Sequence, residues 1–263
     1  MNIVVCVKYV PDAQSDRSFS EADKTVDRDG VDGLLAETDE YAVEEALKIA
    51  ESSEGTVTVL TMGPAKAADA VKKALQMGAH QGVHVLDDGI HGSDAPATSL
   101  VLAEAIKKSN DGAVPDLILL GMSSTDGVMG VVPAMLAERL GLPQVTYASA
   151  LTIGDGSFSA RRDGDTASET IEASLPAVVS VTDQINEPRY PSFKGIMAAK
   201  KKPVQTWGLA DLGLGADQVG LDASWTKVVS FAKRPPRSQG QIVADEGDGG
   251  TKLVEFLSAQ KFL

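Results

Sequence analysis

Four short stretches of this chain are apolar at nearly every position, and each leads into a pattern of helical period. They lie at 3–8, 56–61 (TVTVLT), 82–86 and 117–120 (LILL). A strand wet on one face alternates apolar and polar residues, whereas an unbroken β-branched run needs cover on both faces. The helical patterns begin near Thr38, run over 65–77 and 95–108, and carry on from the loop after 121 to Leu140. Thr38 or Asp39 is placed to cap the first of them. Strands alternating with helices through right-handed crossovers predict an α/β fold built on a doubly wound, mostly parallel sheet. Ligands of such sheets sit at the carboxyl ends of strands near the switch in strand order, so residues 6–9, 61–63 and 121–132 become candidate walls of a site.

The rest of the chain adds to this frame. Residues 12–34 are polar, charged and glycine-punctuated, a long loop or irregular hairpin; loops of that length are usually functional or cover something. After Leu142-Pro143, short strand-like runs at 144–153, 157–162, 168–172 and 177–182 alternate with GDG and DGD turns, predicting antiparallel strands that extend the sheet or cap its edge. The segment INEPRYPSFKGIMAAKKKPVQTW reads as exposed, with 228–231 as one more strand. Residues 1–232 then form the α/β domain and 233–263 a proline- and glycine-rich C-terminal arm ending in an amphipathic helix over 251–262. That helix either packs on another chain or folds back on its own domain.

The chemistry concentrates at 116–137. A strand, a loop with Gly121, Ser123, Ser124, Thr125, Asp126, Gly127 and Gly130, and a helix start make a ready anion site, since N-terminal N–H groups lack partners and glycine admits close approach. No lysine follows the glycines, so it is not a P-loop, and it is not GxGxxG. The residues alone fit a nucleotide phosphate held by backbone or an ordinary glycine-requiring turn. A formal net charge of −13 over 263 residues disfavours nucleic acid and anionic membranes as partners, and no uncharged run is long enough to span a bilayer. The single cysteine, Cys6, excludes an intrachain disulfide, and the expectation is a soluble, cytoplasmic protein of bacterial type. His80, His84 and His91 match no metal-site spacing and read as packing or surface residues. No catalytic triad or paired-cysteine motif occurs, so no catalytic side chain is assigned.

Several segments together carry a resemblance: VVCVKYVPD near the start, AVEEALKI at 42–49, GPAKA at 63–67, ALQMGAH at 74–80, LILLGMSSTDG at 117–127, SLPAVVSVTDQINEPRYPSFKGIMAAKKKP at 174–203 and the closing RPPRSQG. The chain resembles the β subunits of the electron transfer flavoproteins along its whole length, and the LPAVV…NEPRY…IM.AKKK segment is the most specific part. The resemblance implies a Rossmann-like sheet of adenine-nucleotide-binding type, added antiparallel strands and the arm. It implies a heterodimer whose α subunit holds most of one FAD, with a structural AMP in this subunit. The complex would take electrons from acyl-CoA dehydrogenases of fatty-acid oxidation and related enzymes and pass them to a flavoprotein-quinone oxidoreductase. By position the AMP pocket falls on Cys6, on Ala36, Glu37, Thr38 and Asp39, and on Met62. It continues through Gly121, Met122, Ser123, Ser124, Thr125 and Asp126, then Gly127, Val128, Met129, Gly130, Val131 and Val132. The dehydrogenase-recognition segment falls on 188–202, with Tyr190, Phe193, Ile196, Met197, Lys200 and Lys201 facing partners. Asp163 stands where a family Glu pairs with the α subunit.

The chain also departs from the family. Where relatives place Asn or Gln and Thr in the second half of the loop it has Gly130, Val131 and Val132; Ala36-Glu37 replaces Asn-Pro, and Phe193 replaces an anchoring Leu. Three other readings stay open: a bifurcating-type subunit with a second FAD in place of AMP, a self-standing nucleotide-binding or nucleotide-cleaving enzyme of the same superfold, and a structural partner whose pocket binds nothing.

Overall fold

The computed structural model describes residues 1–237, 240 and 242–263. Ser238 and Gln239 of the RPPRSQG segment, and Gln241 of the arm, lie outside the described residues. The described chain divides into two units, Met1–Val229 and Ser230–Leu263.

The first unit is organised by the apolar runs. In chain order they give β1 (Asn2–Cys6), β4 (Thr56–Met62), β5 (Gln81–Val85) and β6 (Leu117–Gly121), joined through α1 (Glu37–Ser53), α2 (Ala68–Met77) and α3 (Ala95–Ser109). After β6 come α4 (Val132–Leu140), β7 (Gln144–Ile153), β8 (Ser157–Asp163), β9 (Ser168–Ser174) and β10 (Ala177–Val181). The unit closes with α5 (Phe193–Ala199), β11 (Val204–Trp207) and the short α6 (Gly220–Ala223). Two small strands, β2 (Tyr9–Pro11) and β3 (Gly33–Leu35), pair antiparallel outside the main sheet. With an antiparallel bridge between Phe19 and Val26, they make 12–34 an irregular hairpin.

The main sheet has the order β11-β5-β4-β1-β6-β10-β7-β8-β9. All pairings from β11 to β7 are parallel, and the β7-β8-β9 meander is antiparallel. Alternation along β1 divides the core. Ile3, Val5 and Val7 join one apolar cluster with Val43, Leu47, Val71 and Leu75 of α1 and α2. Val4 and Cys6 join the other with Val101 and Ile106 of α3 and Leu136 of α4. Helices therefore cover both faces of the parallel part, which is why its strands need no polar residues. The chain builds outward from β1 through β4 and β5, then returns to lay β6 on β1's other side, so strand order reverses between β1 and β6.

Three expectations need correction. The run at 177–182 is not an antiparallel strand at an edge: β10 is parallel, sits between β6 and β7, and is buried at all five positions. A run apolar but for Ser180 and Thr182, with cover on both faces, is more stable inside the sheet than at its rim, and the β8-β9 hairpin lets the chain return there. The first part of β7 is likewise parallel to β10 before it pairs with β8. The second concerns 204–207, expected within an exposed segment: it forms β11, an edge strand on β5, open at its first three residues. No strand forms at 228–231. Third, α1 is capped by neither Thr38 nor Asp39. Its N-cap is Ala36, and both side chains lie inside the first turn, bonded elsewhere.

The second unit contains α7 (Gly249–Ala259). The N–H of Gly249 donates to Asp245, and Leu253, Val254 and Phe256 along the helix are exposed.

Candidate functional site

Where β1 and β6 part, three elements are stitched by one carboxylate. Asp39, in the first turn of α1, accepts from the N–H of Lys8 at 2.8 Å and from that of Gly121 at 3.2 Å. Thr38 beside it donates its hydroxyl to Ser123 O at 2.6 Å. Gly121 has to be glycine here, because a Cβ would stand 2.6 Å from Asp39 Oδ1 and 2.7 Å from the Thr38 backbone carbon. Asp39 is buried, and burial raises its carboxyl to about 7 although both backbone N–H groups pull the other way. Cys6 lies beside it, and burial, with the Asp39 charge, pushes its thiol far above the ordinary range. It is no nucleophile.

The loop after β6 closes on itself through Asp126. Its carboxylate accepts from Lys8 Nζ at 2.8 Å, Arg28 Nη2 at 2.6 Å and the Gly127 N–H at 2.7 Å. Burial opposes the charge, but the two cations outweigh it and hold the carboxyl well below the usual range. Arg17 donates to Thr125 O, so the irregular hairpin 12–34 brings two arginines to the loop. Past this knot Val128 takes φ 52°, a conformation β-branched residues rarely adopt, and Val128 and Met129 are exposed. α4 follows. Its N-cap, Val131, offers no side-chain acceptor, and a proline occupies its first turn. A helix start without a side-chain cap leaves backbone donors for an anion.

The carried-over pocket residues thus divide by environment. Cys6, Ala36 and Asp39 are buried, Thr38, Met62 and residues 122–126 are half-buried, and Glu37 is exposed. Thr38, Asp39, Gly121 and Ser123 touch one another directly, whereas Asp126 turns to its two cations. Among the described residues no cluster of three or more His, Cys, Asp or Glu could hold a metal. His80 Nδ1 accepts from the Val57 N–H, His84 Nε2 meets Gly63 O, and His91 pairs with Asp23.

The segment at 188–202 forms a second surface. Ser192 caps α5, and no residue of that helix is buried. Phe193 is 81% exposed and Tyr190 92%, with Ile196, Met197, Lys200 and Lys201 also open to solvent. Lys202 is different: its ammonium donates to Leu75 O and Gly78 O at the end of α2. Asp163 lies away from this segment, at the end of β8. Hydroxyls of Ser149 and Ser168, with Arg161, hold its carboxyl down at about 2.

Sequence reasoning missed Arg189, Glu44 and Glu51, which join this segment to α1. It also missed Lys8, Arg17 and Arg28 at the loop. For α1 a signal existed: Glu44 interrupts the apolar face of AVEEALKI, and Glu51 stands seven residues on, on the same face.

A doubly wound sheet with a glycine loop and a helix start at its switch point defines the class of open α/β domains whose ligands sit at the carboxyl ends of the strands. Comparison with known proteins narrows it. A family model described as Electron transfer flavoprotein domain matches residues 23–212. The electron transfer flavoprotein subunit beta of Mycobacterium leprae is 48% identical over 267 residues, covering 100% of this chain and 99% of the relative. That of Megasphaera elsdenii is 33% identical over the full length of both. The caffeyl-CoA reductase-Etf complex subunit CarD of Acetobacterium woodii is 36% identical over 92% of each. The chain belongs to the electron transfer flavoprotein family, among its beta subunits. It is an electron carrier subunit and not an enzyme, and the family associates with flavin and nucleotide.

Proposed function

We propose that this chain pairs with an electron transfer flavoprotein alpha subunit, which holds most of one FAD. We further propose that the pair carries electrons from acyl-CoA and related dehydrogenases to a flavoprotein-quinone oxidoreductase. Bound FAD supplies the redox chemistry, and this chain supplies geometry and docking. The observation that carries the reading is the exposed apolar face of α5 beside Lys200 and Lys201. Large aromatic side chains are rarely left so open unless a partner covers them, and a basic cluster on a chain of charge −13 marks a local docking surface. The C-terminal arm, with its exposed apolar helix, packs on the alpha subunit in this reading.

The pocket at 6, 36–39, 62 and 121–132 holds a structural AMP. The residues fit a phosphate: α4 begins without a side-chain cap, and Ser123, Ser124 and Thr125 bring hydroxyls to the loop. Gly130, Val131 and Val132 bring none, and this leaves room for one second reading, ranked after the first: a bifurcating-type subunit with a second FAD in this pocket. Both readings are decided by the FAD and AMP content of the co-purified heterodimer. One FAD and one AMP per pair is the expected result. Two FAD and no AMP would establish the second reading, and a colourless pair would overturn both.

A further inference from the structure

An arginine fork fastens the exposed segment to α1. The guanidinium of Arg189 donates to Glu44 through Nε at 2.8 Å and Nη2 at 3.1 Å. It reaches Glu51 through Nη1 at 2.5 Å and Nη2 at 3.2 Å. The backbone N–H of Arg189 also donates to Glu44, at 3.1 Å. Glu44 is only 4% exposed, so its charge has left water and depends on this partner. Three residues upstream, Asn186 donates to Tyr41 O and to Glu45, a second tie to the same helix. Pro188 and Pro191 bracket the fork and fix φ on either side of Arg189 and Tyr190.

What lies beyond needs that fastening. α5 has seven residues and none of them buried, too short to hold its own shape or place by burial. Its other supports include Gly195, packed on Gln76 O, Ala199, half-buried against the apolar cluster that α2 joins, and Lys202 at the end of α2. All stand at or past the helix; among the described residues the chain that enters it is held to α1 by the Arg189 fork and, three residues earlier, by Asn186. A flexible entry would leave Tyr190 and Phe193 exposed but without one arrangement, and ordering them would then be charged to binding.

We propose that Arg189, through its fork to Glu44 and Glu51, is a positioning residue for electron-donor docking: it presets Tyr190, Phe193 and Met197 as one apolar face. The inference rests on the proposed reading of α5 as a docking surface. It requires the two-armed geometry of a guanidinium and not merely a positive charge, so lysine does not substitute.

The test uses the co-purified heterodimer with an acyl-CoA dehydrogenase and its acyl-CoA, following flavin reduction while the carrier concentration is varied. Arg189→Lys should raise KM for the carrier about tenfold, and Glu51→Ala, at the solvent-open arm of the fork, about threefold, with kcat within about twofold. Flavin content should match the parent in both. Should Arg189→Lys fail to assemble, Glu51→Ala decides. KM unchanged in these variants while Phe193→Ala raises it would overturn the positioning role and leave the docking reading standing. KM unchanged in Phe193→Ala as well would sink the docking reading and this inference with it. A fall in kcat alone, at constant KM, would also overturn the proposal, since presetting a docking face acts on association.

Discussion

Asp39 shows at the residue scale how a buried charge can be required by geometry and opposed by solvation. Two backbone N–H groups need its oxygens, yet burial raises its carboxyl from an ordinary 3.8 to about 7. The consequence for stability has a definite sign. Between those two values the folded chain keeps a proton that the unfolded chain has released, so stability falls as pH rises through that window. Asp39→Asn removes the titration but leaves one backbone donor facing an amide NH2. The variant should therefore be less stable than the parent, with a deficit that shrinks from about pH 5 to about pH 8. Urea unfolding at several pH values checks this; parallel profiles would mean that Asp39 is ionised throughout. None of it was legible in ETDEYAVEEALKI, where Thr38 and Asp39 look like caps. Their partners, Lys8, Gly121 and Ser123, come from strand ends far away in sequence.

At the element scale, α1 and α5 have contrasting lives. α1 was visible in sequence because its apolar positions recur at helical spacing, although two of its acids, Glu44 and Glu51, pair with Arg189 of the segment at 188–202. α5 has no buried stripe to detect, and exists because Ser192 caps it and α2 supports it. The support is close: a Cβ on Gly195 would stand 2.5 Å from Gln76 O. Alanine gains about 1 kcal/mol of helix propensity over glycine, whereas forcing a methyl into a packed contact typically costs about 1–3 kcal/mol. The clash should win. Gly195→Ala is expected to speed amide hydrogen exchange across α5 and at the last turn of α2 while leaving β1, β4 and β6 protected. Slower exchange in α5 would show that the gap absorbs the methyl. β10 makes the complementary point. Its apolar run announced a strand, but the choice between rim and interior depended on where the β7-β8-β9 meander delivered the chain.

On the scale of the whole molecule, every buried residue among those described lies before Val229, and none lies in the unit from Ser230 to Leu263. Among its described residues the second unit has no buried side chain of its own. A chain ending at Val229 should unfold at the same midpoint as the full chain, read by circular dichroism. In the proposed reading it should no longer co-elute with the alpha subunit on gel filtration, because the arm is the part that packs there. A marked drop in midpoint would show that the arm supports its own domain instead. No helix among the described residues is long and apolar enough to cross a membrane.

Sequence alone determined the four parallel strands β1, β4, β5 and β6, since runs such as TVTVLT and LILL tolerate no wet face, and it located the glycine loop by the turn between LILL and the following helix. These are local facts, carried by neighbours within a few residues. Only the tertiary structure decided that Asp39 bridges β1 and β6, that Asp126 turns inward to Lys8 and Arg28, and that Arg189 is held by Glu44 and Glu51. Such pairs join residues tens to more than a hundred positions apart. A charge written in a sequence carries no record of its partner, because only the packed chain removes the water that would otherwise serve as one.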